Sequence, residues 1–574
     1  DVLVPESVAG QKLASAGDIT VKGSADSYRV KGRVDLGPPD QIAHLALDLA
    51  GTPDVVTLEA LTVKQPKGEL DIHGKLDLKP QLGWDLDAKG RHFNPGLILT
   101  GWDGALDLAL TTQGRMMPKG PDATLNLDKL GGTLRQRRLS GHGKLHLMPN
   151  RVVNGQLSLS SGNSRIRLDA SGTQGNHADL KLGIVSLNDW LPGASGALHG
   201  NVLVTGLWPK LAIKGHVYGQ KLSLSGHEVG KFDLTVDVPD LSHPGGKLSM
   251  QANRVMLGSM LFESVNLRGN GDAAHHQWHL DAKGQPLSLR LALAGSMVGK
   301  AWNGTLSTLD LDFQGLPPWR LRAPAQLAWN QGQASISQTC LTAGEPTLCL
   351  SAKKARNDAL DADYTLHAFP LALIATLTGE GLPLRAEGVI DGQGKVHRDA
   401  AGALSGQATL TSSSGKISYT DRPDLPLLAY RDFNAKATLA PGNQRVTLSA
   451  TLDRGGYLRG DIGLTGEQQA LSGQVTMRMD SLAPVELFTS ALANVKGHLE
   501  GNFQLAGTLD QPVVTGSANL ADFAAEVPAA GLKLHDGQVS VASTGSNQLR
   551  IDGHVGSGEG TLKLGGTVAS SAQG

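Results

Sequence analysis

The sequence predicts an all-β protein: one long, curved, mostly antiparallel sheet with an apolar inner face and a few short helices at repeat starts. Three observations predict it. Apolar residues recur at every second position almost throughout, turn residues separate these runs at hairpin spacing, and glycine is abundant. Of the 574 residues 73 are Gly, about 13% against an ordinary ~7%.

The alternation is strand periodicity, one face greasy and one wet. It starts clearly at Leu70, Ile72, Leu76 and Leu78, with Gly74 in the middle place, and continues through Leu106/Leu108, Leu125/Leu127, Leu145/Leu147, Leu157/Leu159, Ile166/Leu168 and Val202/Val204. Later runs are Phe232/Leu234/Val236, Leu309/Leu311/Phe313, Val475/Met477/Met479, Phe503/Leu505 and Leu562/Leu564. Turn residues such as Pro149-Asn150, Ser161-Gly162-Asn163, Gly172 to Gly175 and Pro441-Gly442-Asn443 suit hairpins rather than crossovers.

Helical signals are few: Asn94-Pro95, Leu187 to Trp190, Phe369 to Leu377 and Leu482 to Leu492. They recur every roughly 90 to 115 residues, with one missing near the middle. The chain therefore divides into groove repeats at 1–92 (its start truncated), 93–185, 186–368 (two repeats), 369–480 and 481–574 (its end truncated). A tighter signature, Gly-x-[Leu/Ile]-x-Gly, stands at Gly196-Leu198-Gly200, Gly388-Ile390-Gly392, Gly402-Leu404-Gly406 and Gly497-Leu499-Gly501. Two copies continue in one register, to Gly206, Pro209 and Gly215 and to Gly507, Pro512 and Gly516. Glycine weakens a strand, so its repeated use predicts bends, bulges or close backbone approach.

Lys plus Arg (52) balance Asp plus Glu (53), and the signs are interspersed, which leaves no electrostatic footprint for nucleic acid. The longest apolar run, Ala368 to Thr378, is shorter than the 18 or more residues of a spanning helix. The start at Asp1 lacks a basic leader, and the end near Gly565-Gly566-Thr567-Val568 breaks off in a strand pattern, so the chain reads as part of something longer. At roughly 12 residues per strand and turn it makes on the order of 45 strands. Four short helices cannot cover the apolar face of such a sheet, so the sheet must curl on itself or offer that face to an apolar ligand.

Glycine-spaced strands after short apolar helices resemble the AsmA-like proteins. The last part, Gly497-His498-Leu499-Glu500-Gly501 through Gly507-Thr508-Leu509, Pro512, Gly516, Val527-Pro528, Gly531 to Leu534, Asp536-Gly537 and Ser557 to Gly560, is similar to the TamB family among them. The resemblance is most specific from Gln285 to Thr567. It implies a U-shaped, taco-like groove akin to bridge-like lipid-transfer proteins, its interior carrying phospholipid acyl chains while head groups stay in water. It also implies the periplasm of a Gram-negative bacterium, an inner-membrane anchor N-terminal to this chain and attachment C-terminal to it to TamA, an outer-membrane barrel. No cofactor is implied.

Cys340 and Cys349 fall opposite one another if a turn is centred between Gly344 and Glu345. Two readings stand: a cross-strand disulfide, which suits an oxidising compartment, and two buried thiols. A metal pair is disfavoured, because no second pair completes four ligands. His275, His276 and His279 read as a solvated edge rather than a zinc site, with Trp278 and Leu280 on the other face. His397-Arg398-Asp399 lacks the Asn of a kinase loop, Gly295 to Lys300 is too short for a phosphate loop, and Ser413 to Lys416 lacks the partners of a Ser-x-x-Lys enzyme. The chain therefore reads as no enzyme. Arg135, Arg137 and Arg138 read as a solvated rim or as a contact for anionic head groups, and Trp102 and Trp190 as packing anchors or lipid contacts.

Two functions follow. In a phospholipid conduit the apolar face is a continuous track, so a charge at Met477 or Leu505 blocks passage while one at Thr476 or Gln504 does not. In an assembly factor for outer-membrane proteins or autotransporters, sheet edges template client strands. A β-helix adhesin fits less well, since its interior is filled and its repeat much shorter.

Overall fold

The computed structural model describes residues 15–569, apart from 38–41, 244, 259, 379–383, 421, 467–468, 483–490, 510 and 546–547. Among the described residues 36 strands form, fewer than the expected 45, because they run longer than assumed; Arg422–Ala440 has 19 residues. All described strand pairings are antiparallel. By internal contact the chain divides into two compact units, Asp1–Ser288 and Leu289–Gly574.

The first unit is an up-and-down meander. From Ser15–Ser24 to His276–Gln285, each strand pairs with its neighbours in sequence, joined by short turns as the Gly, Pro and Asn clusters predict. The second unit repeats the plan with one variation. Trp319–Leu321 and Ala325–Asn330 act as two halves of one strand between Ala301–Phe313 and Gln333–Thr342. Pro324 sits in the break, where a residue without an N–H cannot continue the ladder.

Helical structure lies where the sequence signals it. A 3-10 turn at Pro95–Leu97 is set by Asn94, whose Oδ1 accepts from the N–H of Gly96 (3.0 Å) and of Gly104 (2.9 Å). The Gln65 side chain pairs with both backbone groups of Asn94. A second 3-10 turn spans Leu187–Asp189, and an α-helix, Leu371–Thr378, follows Pro370. Of the signal at Leu482 to Leu492, residues 483–490 lie outside the described residues. A further 3-10 turn, Pro528–Ala530, lies outside the four helical signals of the sequence.

The leading glycines of three Gly-x-[Leu/Ile]-x-Gly copies, Gly196, Gly388 and Gly497, each sit at a register shift between strands. The fourth, Gly402, belongs to a turn. The bulges at Gly196 and Gly388 bend the strands that follow the Leu187–Asp189 turn and the Leu371–Thr378 helix. The second glycine of the first copy has a different reason. Gly200 has φ 155° and a Cβ there would stand 2.3 Å from the carbonyl oxygen of His216 on the next strand, so a side chain would break the ladder.

Candidate functional site

Registers show what the alternation builds. In the first unit one cross-strand row runs Gly17, Val34, Leu45, Val63, Leu70, Gly90, Leu108, Leu130, Gly141, Leu159, Ile166, Leu182, Gly200, Val217, Leu234, Met250, Leu267, Leu280. Every strand contributes one residue, and none is polar. The row beside it, through Leu61, Ile72, Ala88, Leu110, Leu127, Leu157, Leu168, Leu180 and Val202, is equally apolar. At ~4.8 Å per strand such a row is roughly 80 Å long.

The second unit carries a row of the same kind: Leu321, Leu341, Leu348, Leu366, Gly392, Leu410, Ala435, Leu448, Gly460, Val475, Phe503, Gly516. Met477 lies in a parallel row with Leu458, Gly501, Ala518, Val541 and Ile551, and Leu505 in another with Ile462, Gly473 and Val514. The other candidate lining residues fall on this face as well. Leu76, Leu106, Leu145, Leu147, Val204, Phe232, Val236, Leu309, Leu311, Phe313 and Met479 are half-buried or buried there. Leu78 lies just past its strand end, and Leu562 and Leu564 stand on the last described strand; all three are exposed.

Glycines alternate with large residues, and the large ones lean over them. A Cβ at Gly141 would meet the Leu159 and Leu130 side chains at 2.7 and 3.1 Å. Aromatic rings do the same: Tyr28 covers Gly51, Trp84 covers Gly114, Trp278 covers Gly269 and Tyr364 covers Gly394, each pair directly opposite in register. At these four positions the ring lies over a glycine rather than projecting from the floor.

Little covers this floor. The accessible surface is 33381 Å² for 60.0 kDa, where two compact domains of half that mass would expose about 23,000 Å² together. Most apolar-row residues are only half-buried. Along each strand the band is three to four apolar positions deep, as at Leu198, Gly200, Val202 and Val204, or about 13 to 20 Å. One leaflet of a bilayer's hydrocarbon core is ~15 Å.

Full burial concentrates along one margin of each unit, where helical turns fold in. In the first unit Leu97, Leu134, Leu139, Ile184 and Ala194 are buried there. Asp189, 5% exposed, ties the margin together. Its Oδ2 accepts from Ser164 Oγ (2.7 Å), its carbonyl accepts from Ser161 Oγ (3.1 Å), and Arg137 Nε lies 3.5 Å from Oδ1. Arg135 donates to the carbonyl and side-chain oxygens of Asn188. Two of the three clustered arginines therefore hold the Leu187–Asp189 turn in place, a role the sequence reading did not consider. In the second unit Trp319 is 2% exposed and packs on Phe369, ring centroids 5.4 Å apart, beside buried Leu341, Leu373 and Ile390. Leu482, Val495 and Ala525 form a further buried cluster.

The opposite face is polar. One of its rows runs His142, Ser158, Arg167, Lys181, Asn201, His216, Thr235, Ser249, Arg268, His279. Ion pairs lie along this face, such as Arg445 with Asp461 and His216 with Asp233 (2.9 Å). Hydrogen bonds from Arg29 and Lys31 pull the Asp48 carboxyl down to about 2. Thr476 and Gln504 face this side, opposite Asn502 and Gln474. Cys340 and Cys349 are register partners joined by a disulfide, S–S 2.05 Å, in line with Thr365 on the polar side. Among the described residues no group of three or more His, Cys, Asp or Glu could hold a metal. His276 is engaged with the Asp272 carbonyl, His279 faces Arg268, and His397 pairs with Asp361 (2.7 Å).

No described helix is long and apolar enough to cross a membrane. A family model described as the TamB N-terminal domain matches residues 3–520. The translocation and assembly module subunit TamB of Haemophilus influenzae is similar at 20% identity over 572 residues, covering 96% of this chain and 43% of that protein, so the chain spans less than half the length of this relative. No solved structure matches.

Proposed function

The chain belongs to the TamB family, and on that premise we propose that its apolar face is a track for phospholipid acyl chains within a periplasmic bridge between inner and outer membranes. One observation carries the reading: in each unit, apolar rows cross strand after strand without a polar interruption. Acyl chains laid on such rows remove their own apolar surface and the protein's from water, at about 25 cal/mol per Å². No residue along the rows offers a hydrogen bond or charge that would hold a lipid in one place, so lipids slide. The band depth matches one leaflet of hydrocarbon, which leaves head groups at the margin, in water. No catalytic group is required. In the whole protein an inner-membrane anchor and the TamA barrel would supply the two ends.

The second reading is assembly of outer-membrane proteins, in keeping with a relative named as a translocation and assembly module subunit.

The experiment is a charge placed on either face. Met477→Glu or Leu505→Glu sets a carboxylate in the path of hydrocarbon, and lipid bound by the purified chain should fall more than about tenfold. Thr476→Glu and Gln504→Glu should leave it unchanged. Equal effects from the two faces contradict the track.

A further inference from the structure

The margin opposite the helical turns in the first unit is built differently, and its chemistry points beyond the track. Four hairpin ends along it are in contact. The N–H of Met116 donates to the Leu82 carbonyl (2.7 Å), Gly120 lies against Pro149 and Arg151, and the Arg151 guanidinium sits 4.9 Å above the Trp208 ring. Asn176 joins the last two, donating to the carbonyls of Arg151 (3.1 Å) and Gly206 (3.2 Å).

These ends expose large apolar side chains: Leu82 46%, Met116 44%, Met117 36% and Trp208 53%. Interleaved with them are Arg115, Lys119, Arg151 and Lys210, all exposed, and none forms an ion pair with a described residue. Asp122, opposite Arg115 across its hairpin, turns instead to His146 (2.7 Å), and Asp54 is taken by Lys79 (3.3 Å). Apolar side chains flanked by free cations, with a Trp among them, form the combination that settles at the head-group level of an anionic bilayer. Lys and Arg stems lie along the acyl boundary while their charges reach phosphate. The polar face, by contrast, sets its charges among polar neighbours, and many of its cations are in ion pairs, such as Arg29, Lys31, Arg167, Lys181 and Arg445.

We propose that this margin, at the hairpin ends 78–82, 115–120, 148–151 and 207–210, docks on the surface of an anionic membrane. The occupant is a lipid surface rather than a protein strand, because the margin presents side chains at turns and no free strand edge. Charge complementarity selects an anionic surface over a neutral one.

The test is flotation of the purified chain with phosphatidylcholine vesicles, with and without about 30% phosphatidylglycerol. The anionic vesicles should bind more tightly. Each cation removed should weaken binding about fivefold, so Arg115→Gln with Lys119→Gln should cost about twenty-fivefold. Lys353→Gln with Lys395→Gln, which removes the same charge from the second unit, should cost little. The native cysteines are bonded to each other, so Met117→Cys can be labelled with a polarity-sensitive dye, which should report an apolar setting only on anionic vesicles. Equal binding to both vesicle types, or an Arg115/Lys119 variant that floats like the parent, overturns the proposal. Flotation lost in Leu505→Glu but kept in the Arg115/Lys119 variant would mean that lipid is taken onto the track rather than met as a surface. That outcome overturns membrane docking and leaves the track standing.

Discussion

The helical-turn margin and the middle of the apolar band are made from the same residue types and do opposite things with them. At the margin Trp319, Phe369, Leu373 and Ile390 are buried against one another. In the band Val475, Met477, Phe503 and Leu505 have the same hydrophobicity and remain half-buried. The fold is therefore held from its edge. The backbone ladder and the margin supply stability, and the band is left open with much of its apolar surface in water.

Replacing a margin residue should therefore damage the fold far more than replacing a band residue. Trp319→Ala should destabilise the second unit by about 3 to 5 kcal/mol in urea unfolding, and Leu505→Ala by about 1 kcal/mol, since its side chain is already partly in water. Comparable losses at the two positions would mean that the band carries as much of the fold's stability as the margin does. Next in size is the disulfide. Opening Cys340–Cys349 removes a link across a 9-residue separation and should lower stability by about 2 to 3 kcal/mol in the entropic account. Because it stands on the polar side, lipid binding should survive reduction. A loss of lipid binding without unfolding would place the hairpin in the track.

The smallest effect belongs to the polar face. Asp48 is held at about 2 by Arg29 and Lys31, below the ~4 of an unfolded aspartate. A depressed pKa contributes stability above the unfolded value and loses it as pH falls through the folded one. Acid unfolding of the first unit should thus show an Asp48-dependent decline between about pH 4 and pH 2, absent in Asp48→Asn and weakened by salt. A decline above pH 5 would point to another group.

Much of this was legible in the sequence because period-two alternation survives in almost every strand. Trp278 and Leu280 were assigned to the apolar side and His279 to the wet side from spacing alone, and the registers agree. The strand count was not legible. Nothing local announces that Arg422–Ala440 continues past its own bulge between Arg431 and Asn434. The two margins were invisible for a similar reason. Burial of Trp319 depends on Phe369, fifty residues away, and the work of Arg135 and Arg137 depends on a turn at Leu187–Asp189 brought beside them by intervening hairpins. Alternation tells which face a side chain takes, and cross-strand register decides what it meets there.

That the open band holds lipid is tested by site-specific photocrosslinking in cells, with the probe at Met477 and Leu505 against Thr476 and Gln504, read by mass spectrometry of the adducts. The track predicts phospholipid adducts at Met477 and Leu505 and none at Thr476 and Gln504. Client-protein adducts at the first pair, or lipid on both pairs alike, would contradict it.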